Sequence, residues 1–287
     1  MTAGDAGRVL VILAAGRAVR YGGLKPLAPV GPGGEAILDL VASDALSAGF
    51  GTIVLVIGPE TGQAIRHHVE RHWPGVVDVR FAVQEIPRGT VDAVLAAWGE
   101  LERAGRFGVA NADDLYGPSA LGILAGHLAG TDEDNALVGF RLSRAVIGSS
   151  PVTRGVCRTG PDGRLVQIEE RRGVVPHDDG TFGTADGRIP EVLDGATLVS
   201  MNLWGFCPEM GEELGRAMQE AGEGEVLLPE LVGRLIADPN SGQRFKVLAT
   251  DSRCVGVTHP ADLALVQEDV AAQVGRGERP ATLWSAL

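Results

Sequence analysis

Residues 8–27 read RVLVILAAGRAVRYGGLKPL. The first six, Arg8 to Leu13, form a short and almost wholly apolar run, as expected of a strand buried on both faces. The small residues that follow let a backbone approach a ligand closely, and successive amides of such a turn can converge on phosphate oxygens. Arg20 and Lys25 place two cations beside that cradle. A dinucleotide-binding turn would need G-x-G-x-x-G, whereas here Gly16 is followed by Ala18 and Tyr21. A Walker-type loop needs Lys followed by Ser or Thr, and Lys25 is followed by Pro26. Two common phosphate-binding turns are thereby excluded.

Outward from this turn the chain alternates. A helix is expected over 36–48, closed by Gly49, then a second buried strand over 52–57. A helix over 62–72, a strand over 76–84, a helix over 90–104 and a strand over 107–110 complete the pattern. Strands separated by helices indicate an α/β protein with a mainly parallel, doubly wound sheet. Ligands of such sheets sit beyond the carboxyl ends of the strands, here the turn after residue 13 and the Asn111-Ala112-Asp113-Asp114 segment. The rest of the chain is less regular. Strands are expected at 135–141, 155–158, 165–169, 198–206 and 246–250, and helices at 229–237 and 261–274. Pro161-Asp162-Gly163 reads as a hairpin turn, and 173–195, rich in Gly, Asp and Pro, as a long loop. With no repeat and no linker, residues 1–287 read as one domain: a nucleotide-binding half over 8–117, and an acceptor-binding half with a C-terminal helix over 118–287.

Composition narrows the classes. The 287 residues are 45% hydrophobic and 22% charged, so a disordered chain is excluded. No apolar run reaches the roughly 20 residues of a membrane span. The formal charge of -12 argues against a nucleic-acid-coating surface. Any anionic ligand must be held locally. Three cysteines without metal-ligand spacing, and an N-terminus without signal-peptide character, lead us to expect a cytoplasmic protein. The basic residues are 23 arginines and only two lysines, Lys25 and Lys246, which singles out the lysine of the first turn. Its ammonium is a compact point charge, unlike the planar guanidinium fork.

The segment LAAGRAVRYGGLKPL resembles the first-strand signature of the sugar-phosphate nucleotidyltransferases, L-A-[AG]-G-x-G-x-R followed by Lys-Pro, with Ala18 in place of the second glycine. Residues 83–94, VQEIPRGTVDAV, resemble that family's base-reading Q-x-x-x-x-G-T-x-x-A segment. Asn111 to Gly117 resembles its metal-binding strand end. The resemblance implies a Rossmann-like, GT-A-like nucleotide-diphospho-sugar transferase fold with an inserted acceptor-binding half. It implies that Leu13, Ala14, Ala15 and Gly16 cradle the nucleotide, with Gln84, Gly89 and Thr90 at the base. Arg20 and Lys25 would hold the triphosphate and the transferring phosphoryl group. Asp113, with Asp114 as the alternative, would bind Mg²⁺, and Glu230 is the expected second carboxylate. Gly155, Glu170 and Asn202 match places where the family contacts the sugar.

The implied reaction joins a nucleoside triphosphate, with a pyrimidine base favoured, to a phosphorylated small molecule, with neither nucleic acid nor membrane as partner. Two polyanions must be brought together, so positioning and charge compensation dominate the barrier. The acceptor is expected to be a sugar 1-phosphate. A cyclitol phosphate, polyol phosphate, phosphonate or phosphocholine acceptor stays open, as do a catalytically silent nucleotide-binding regulator and a homo-oligomeric state.

Overall fold

The computed structural model describes residues 8–16, 23–102, 104–257 and 260–284. The expected alternation is present. Strands β1 (Arg8–Leu13), β2 (Phe50–Ile57), β3 (Asp78–Val83) and β4 (Phe107–Asn111) are parallel, in the order β3-β2-β1-β4. Helices α1 (Ile37–Ser47), α2 (Gly62–His72) and α3 (Gly89–Ala96) connect them, and the expected helix over 90–104 divides, a one-turn α4 (Trp98–Leu101) following α3. Leu10, Val11 and Ile12 have no exposed surface, so β1 is buried on both faces as its composition requires.

Beyond β4 come the two-residue β5 (Asp114–Leu115), helix α5 (Pro118–Ala129) and strand β6 (Asn135–Arg141). Strands β7 (Val152–Thr159) and β8 (Leu165–Pro176) form an antiparallel pair, extended by the short β9 (Phe182–Gly183) and β10 (Val192–Leu193). Strand β11 (Leu198–Phe206), helices α6 (Met210–Ala221) and α7 (Leu228–Ala237), strands β12 (Phe245–Thr250) and β13 (Val255–Gly256), and helix α8 (Asp262–Gly275) complete the chain. Within the central sheet, β12, β6, β4, β1, β2 and β3 run one way and β11, between β6 and β4, runs against them. The sheet is therefore mostly parallel, with apolar cores on both faces. No helix among the described residues is long and apolar enough to cross a membrane.

Strand β11 places the acceptor-side strands. Its first residues pair with β7 (Ser200 opposite Gly155), its last with β4 (Trp204 opposite Val109), and the register shifts in between. At that shift Asn202 adopts φ +57°, a conformation that asparagine tolerates better than most residues. The β7–β8 pair thus continues the sheet from the first half of β11, beside the end of β4.

One expectation is corrected. The segment 173–195 is a built structure rather than a plain loop. Arg171, 1% exposed, lies beneath it and donates from Nε to Asp186 Oδ2 at 2.8 Å. It also donates to the carbonyls of Arg188 and Pro190, at 2.8 Å each. A single guanidinium thus satisfies several inward-facing acceptors of a segment with little apolar material of its own.

Candidate active site

Strands β1 and β4 end side by side, Leu13 opposite Asn111, and the turn after β1 is drawn tight by hydrogen bonds. Ala14 N donates to Val56 O at 2.7 Å, and the Thr61 hydroxyl donates to Ala14 O at 3.2 Å. Gly16 faces open space, with nothing within 4 Å of where a Cβ would stand. Leu13, Ala14, Ala15 and Gly16 therefore present a fixed backbone edge at the carboxyl end of the sheet. Arg20 lies outside the described residues.

Lys25 opens a short 3-10 turn, Lys25–Leu27, whose Pro26 is buried. This anchored turn brings Lys25 Nζ to 3.6 Å from Asp113 Oδ2, the side chains being 18% and 37% exposed. The Lys-Pro pair and the strand-end aspartate, 88 residues apart in sequence, are thus neighbours.

Asp114, next to Asp113, carries the buried carboxyl of the pair. Burial pushes Asp114 up to about 6 and the Asp113 carboxylate beside it adds to the rise, while Asn111, Arg154 and Lys25 pull against it. Asn111 Nδ2 donates to Asp114 Oδ2 at 2.9 Å. Behind them the buried Tyr116 hydroxyl accepts from Asn111 N and donates to Met201 O, both at 2.9 Å. That hydroxyl ties the end of β4 to the bulge of β11.

The cleft beside this edge has a volume of about 770 Å³, within the usual size of a small-molecule site. Asn111, Asp114, Gly155, Glu170, Asn202 and Glu230 all line it. The expected acceptor residues Gly155, Glu170 and Asn202, from three different strands, thus all line one cleft. Glu230 stands in the first turn of α7 and faces the cleft, yet no group of three or more His, Cys, Asp or Glu among the described residues is close enough to hold a metal alone.

The base-reading segment is bonded within the protein. Gln84 is 5% exposed, and its amide nitrogen donates to Gly89 O at 3.0 Å and to Asp92 Oδ2 at 2.8 Å. Both partners are acceptors, which fixes the amide orientation and leaves only Oε1 for a ligand. Gly89 has φ +90° and lies where a Cβ would overlap the Val226 carbonyl. Thr90 Oγ1 accepts from Leu228 N at 2.8 Å. These residues fasten the entry of α7, the helix that carries Glu230.

Four guanidiniums of the cleft went unread in the sequence: Arg154, Arg172, Arg188 and Arg234. Arg154 is held by the Ala145 carbonyl, through Nε at 2.9 Å and an Nη at 2.7 Å. Arg172 pairs with Glu170 at 3.2 Å and Arg188 with Glu169 at 2.8 Å. The period of two could have shown that Glu170 and Arg172 share a face of β8 while Arg171 points to the other. Nothing local in the sequence places Arg188, which arrives from the segment that Arg171 pins.

The end of β1 beside a Lys25–Asp113 pair, with a polar cleft alongside, is an arrangement that suits a transferase of phosphorylated substrates. The chain matches the family model of the MobA-like NTP transferase domain over residues 10–228, and it belongs to that family of nucleotidyltransferases. The expected kinship with sugar-phosphate nucleotidyltransferases is borne out. It is 30% identical over 260 residues to the bifunctional protein GlmU of Hyphomonas neptunium (strain ATCC 15444), across 90% of this chain and 50% of that protein. The chain therefore spans about half the length of that curated relative. The inositol-1-phosphate CTP transferase of T. maritima shares the fold, with a TM-score of 0.67 over 94% of this chain and 97% of that one, at 14% identity.

Proposed function

We propose that the protein transfers a nucleotidyl group from a nucleoside triphosphate, pyrimidine favoured, to a sugar 1-phosphate, with Mg²⁺ and release of pyrophosphate. The observation that carries this reading is the Lys25–Asp113 pair at the carboxyl ends of β1 and β4, with the Asp114-lined cleft beside it. An acceptor phosphate oxygen forms a bond to the α-phosphorus, and the bond from that phosphorus to the bridging oxygen of pyrophosphate breaks. The attacking oxygen is already ionised, so no side chain need remove a proton. The protein has to fix the triphosphate against the β1 turn and meet the charge that grows on the leaving group, tasks suited to Lys25 and Arg20.

The carboxylates suit Mg²⁺. Asp113 and Asp114 are hard oxygen donors, adjacent in the chain just past the end of β4. With no cluster of three such ligands among the described residues, these two would supply one or two positions and phosphate oxygens and water the rest, as Mg²⁺ usually accepts. The ion, when bound, would neutralise phosphate charge and polarise the α-phosphorus. Glu230 is the further carboxylate that could approach it from α7. The acceptor would lie along Gly155, Glu170 and Asn202, its hydroxyls donating to the glutamate and its charge facing the cleft arginines. The three buried, unpaired cysteines support a reducing compartment, the cytoplasm.

The short span from Arg20 to Lys25 keeps a cyclitol phosphate as the second acceptor reading, and the fold relative acting on inositol 1-phosphate with CTP makes that pair worth inclusion. Base preference would be read through Gln84 Oε1 and the neighbouring backbone, an acceptor suited to the ring N–H of uracil or thymine. Pyrophosphate release is to be measured with five triphosphates against sugar 1-phosphates and inositol 1-phosphate, with and without Mg²⁺. Release that needs both a triphosphate and an acceptor supports transfer. Triphosphate binding without release from any combination points to the regulatory reading, and a purine preference would remove Gln84 from base reading.

A further inference from the structure

The family match ends at residue 228, but the carboxylates at the end of β4 are held from beyond it. Strand β13 pairs antiparallel with β5, Gly256 opposite Asp114 and Val255 opposite Leu115. A Cβ at Gly256 would stand 2.6 Å from the Asp113 carbonyl oxygen and 2.6 Å from Asp114 Oδ1. Both atoms belong to the aspartate pair, and the first is backbone, which cannot swing aside. The strand cannot retreat either. Cys254, Val255 and Val257 are at most 1% exposed, packed in the same core as Leu115 and Tyr116 of the aspartate side and Val266 and Val270 of α8. Cys254 N is further bonded to Arg144 O at 3.0 Å.

We infer that β13 is part of the catalytic apparatus and that Gly256 is a positioning residue, which sets where the Asp113–Asp114 pair stands relative to Lys25. The absence of a side chain at Gly256 lets the strap press on the backbone of Asp113 and the carboxylate of Asp114 together. The inference rests on the reading of this edge as the site of nucleotidyl transfer. It adds that the geometry of the edge is imposed by the C-terminal segment as well as by β4. Any side chain at 256 would displace the aspartates, whereas the nucleotide turn of β1, which β13 does not touch in the sheet pairing, would keep its place.

The test compares Gly256→Ala with Gly205→Ala. At Gly205 a Cβ would meet Leu124 Cδ1 at 2.8 Å and Leu128 Cδ2 at 3.1 Å, a core clash with side chains of α5 and with neither aspartate. Melting temperature, kcat, KM for the triphosphate and the Mg²⁺ concentration for half-maximal rate are measured well below both melting points. So is the rise in melting temperature on adding triphosphate. Gly256→Ala is expected to lose at least tenfold in kcat and to need severalfold more Mg²⁺, with the triphosphate KM and its thermal shift within about threefold of wild type. Gly205→Ala should lose stability alone. Should Gly256→Ala fail to fold, Val255→Ala loosens the same strap without a clash and should lower kcat in the same direction by a smaller factor. Unchanged kcat and Mg²⁺ demand in a folded Gly256→Ala, or in Val255→Ala where that variant stands in for it, would overturn the inference. So would a loss equal to that of Gly205→Ala. A wild-type chain with no turnover would instead sink the functional reading itself.

Discussion

The edge at β1 and β4 and the wall formed by β7 and β8 hold their charged groups in opposite ways. At the edge the side chains are few and fixed by backbone: Pro26 buries the turn of Lys25, Tyr116 bonds two main-chain groups, and β13 presses on both aspartates. On the wall Arg154 of β7 is held by the Ala145 carbonyl, but the charges along β8 are paired side chain to side chain and open to solvent. Arg172 and Glu170 are 76% and 46% exposed, and Arg188 and Glu169 are 54% and 32% exposed. Exposed ion pairs stabilise by only about 0–1 kcal/mol, so a ligand can exchange them at little cost. On the proposed function the contrast would separate two tasks: the edge would serve one reaction geometry, while the wall could re-form around different acceptors.

The largest effect is expected at the edge. Asp113→Asn should cost about 3 kcal/mol or more of transition-state stabilisation, on the scale of losing a strong electrostatic contact, and should abolish the response to Mg²⁺. The melting temperature should barely change, because the side chain is partly exposed. Wild-type turnover in that variant would move the metal assignment to Asp114. Next come Lys25→Ala and Arg20→Ala, each expected to lower kcat by about 10- to 100-fold with a smaller loss of triphosphate affinity, since charge on the leaving pyrophosphate grows in the transition state. A raised KM at unchanged kcat would show uniform binding in place of catalysis.

Between the two regions stands Tyr116. Phenylalanine there would leave the Met201 carbonyl and the Asn111 amide without their shared partner, at a cost of about 1–3 kcal/mol in stability by urea denaturation. No loss would mean that the hydroxyl does not tie β4 to β11. The smallest effect on stability belongs to the wall. Arg172→Ala should leave the melting temperature and the triphosphate KM unchanged and raise the acceptor KM. A change confined to the triphosphate KM would remove β8 from the acceptor site.

How far the sequence reached follows the same division. Strands β1 and β2 were legible because both faces are buried and their runs are continuously apolar. Lys25 and Asp113 were legible through motif, and the structure brings them together. Helix α5, PSALGILAGHLA, was missed because it is apolar nearly all round and carries two glycines, so no polar face marks its period. Helix α6 was missed although Met210, Leu214, Ala217 and Met218 fall at helical spacing and are buried. The extension of β8 past residue 169 was hidden by the run Glu169-Glu170-Arg171-Arg172. Burial of the third of these charges depends on Asp186, 15 residues away in a segment without periodicity. The commitment of Gln84 to Asp92 likewise could not be read, since either amide group could have faced outward.

Phosphorus NMR of the chain with a triphosphate, a sugar 1-phosphate and Mg²⁺ follows the bond that forms and the bond that breaks in one experiment. Transfer produces a pair of coupled diphosphate resonances that join nucleoside and acceptor, and one equivalent of inorganic pyrophosphate appears for each. Pyrophosphate appearing with free nucleoside monophosphate, or a triphosphate spectrum that never changes across the acceptors, would show that the edge of β1 and β4 does not perform nucleotidyl transfer.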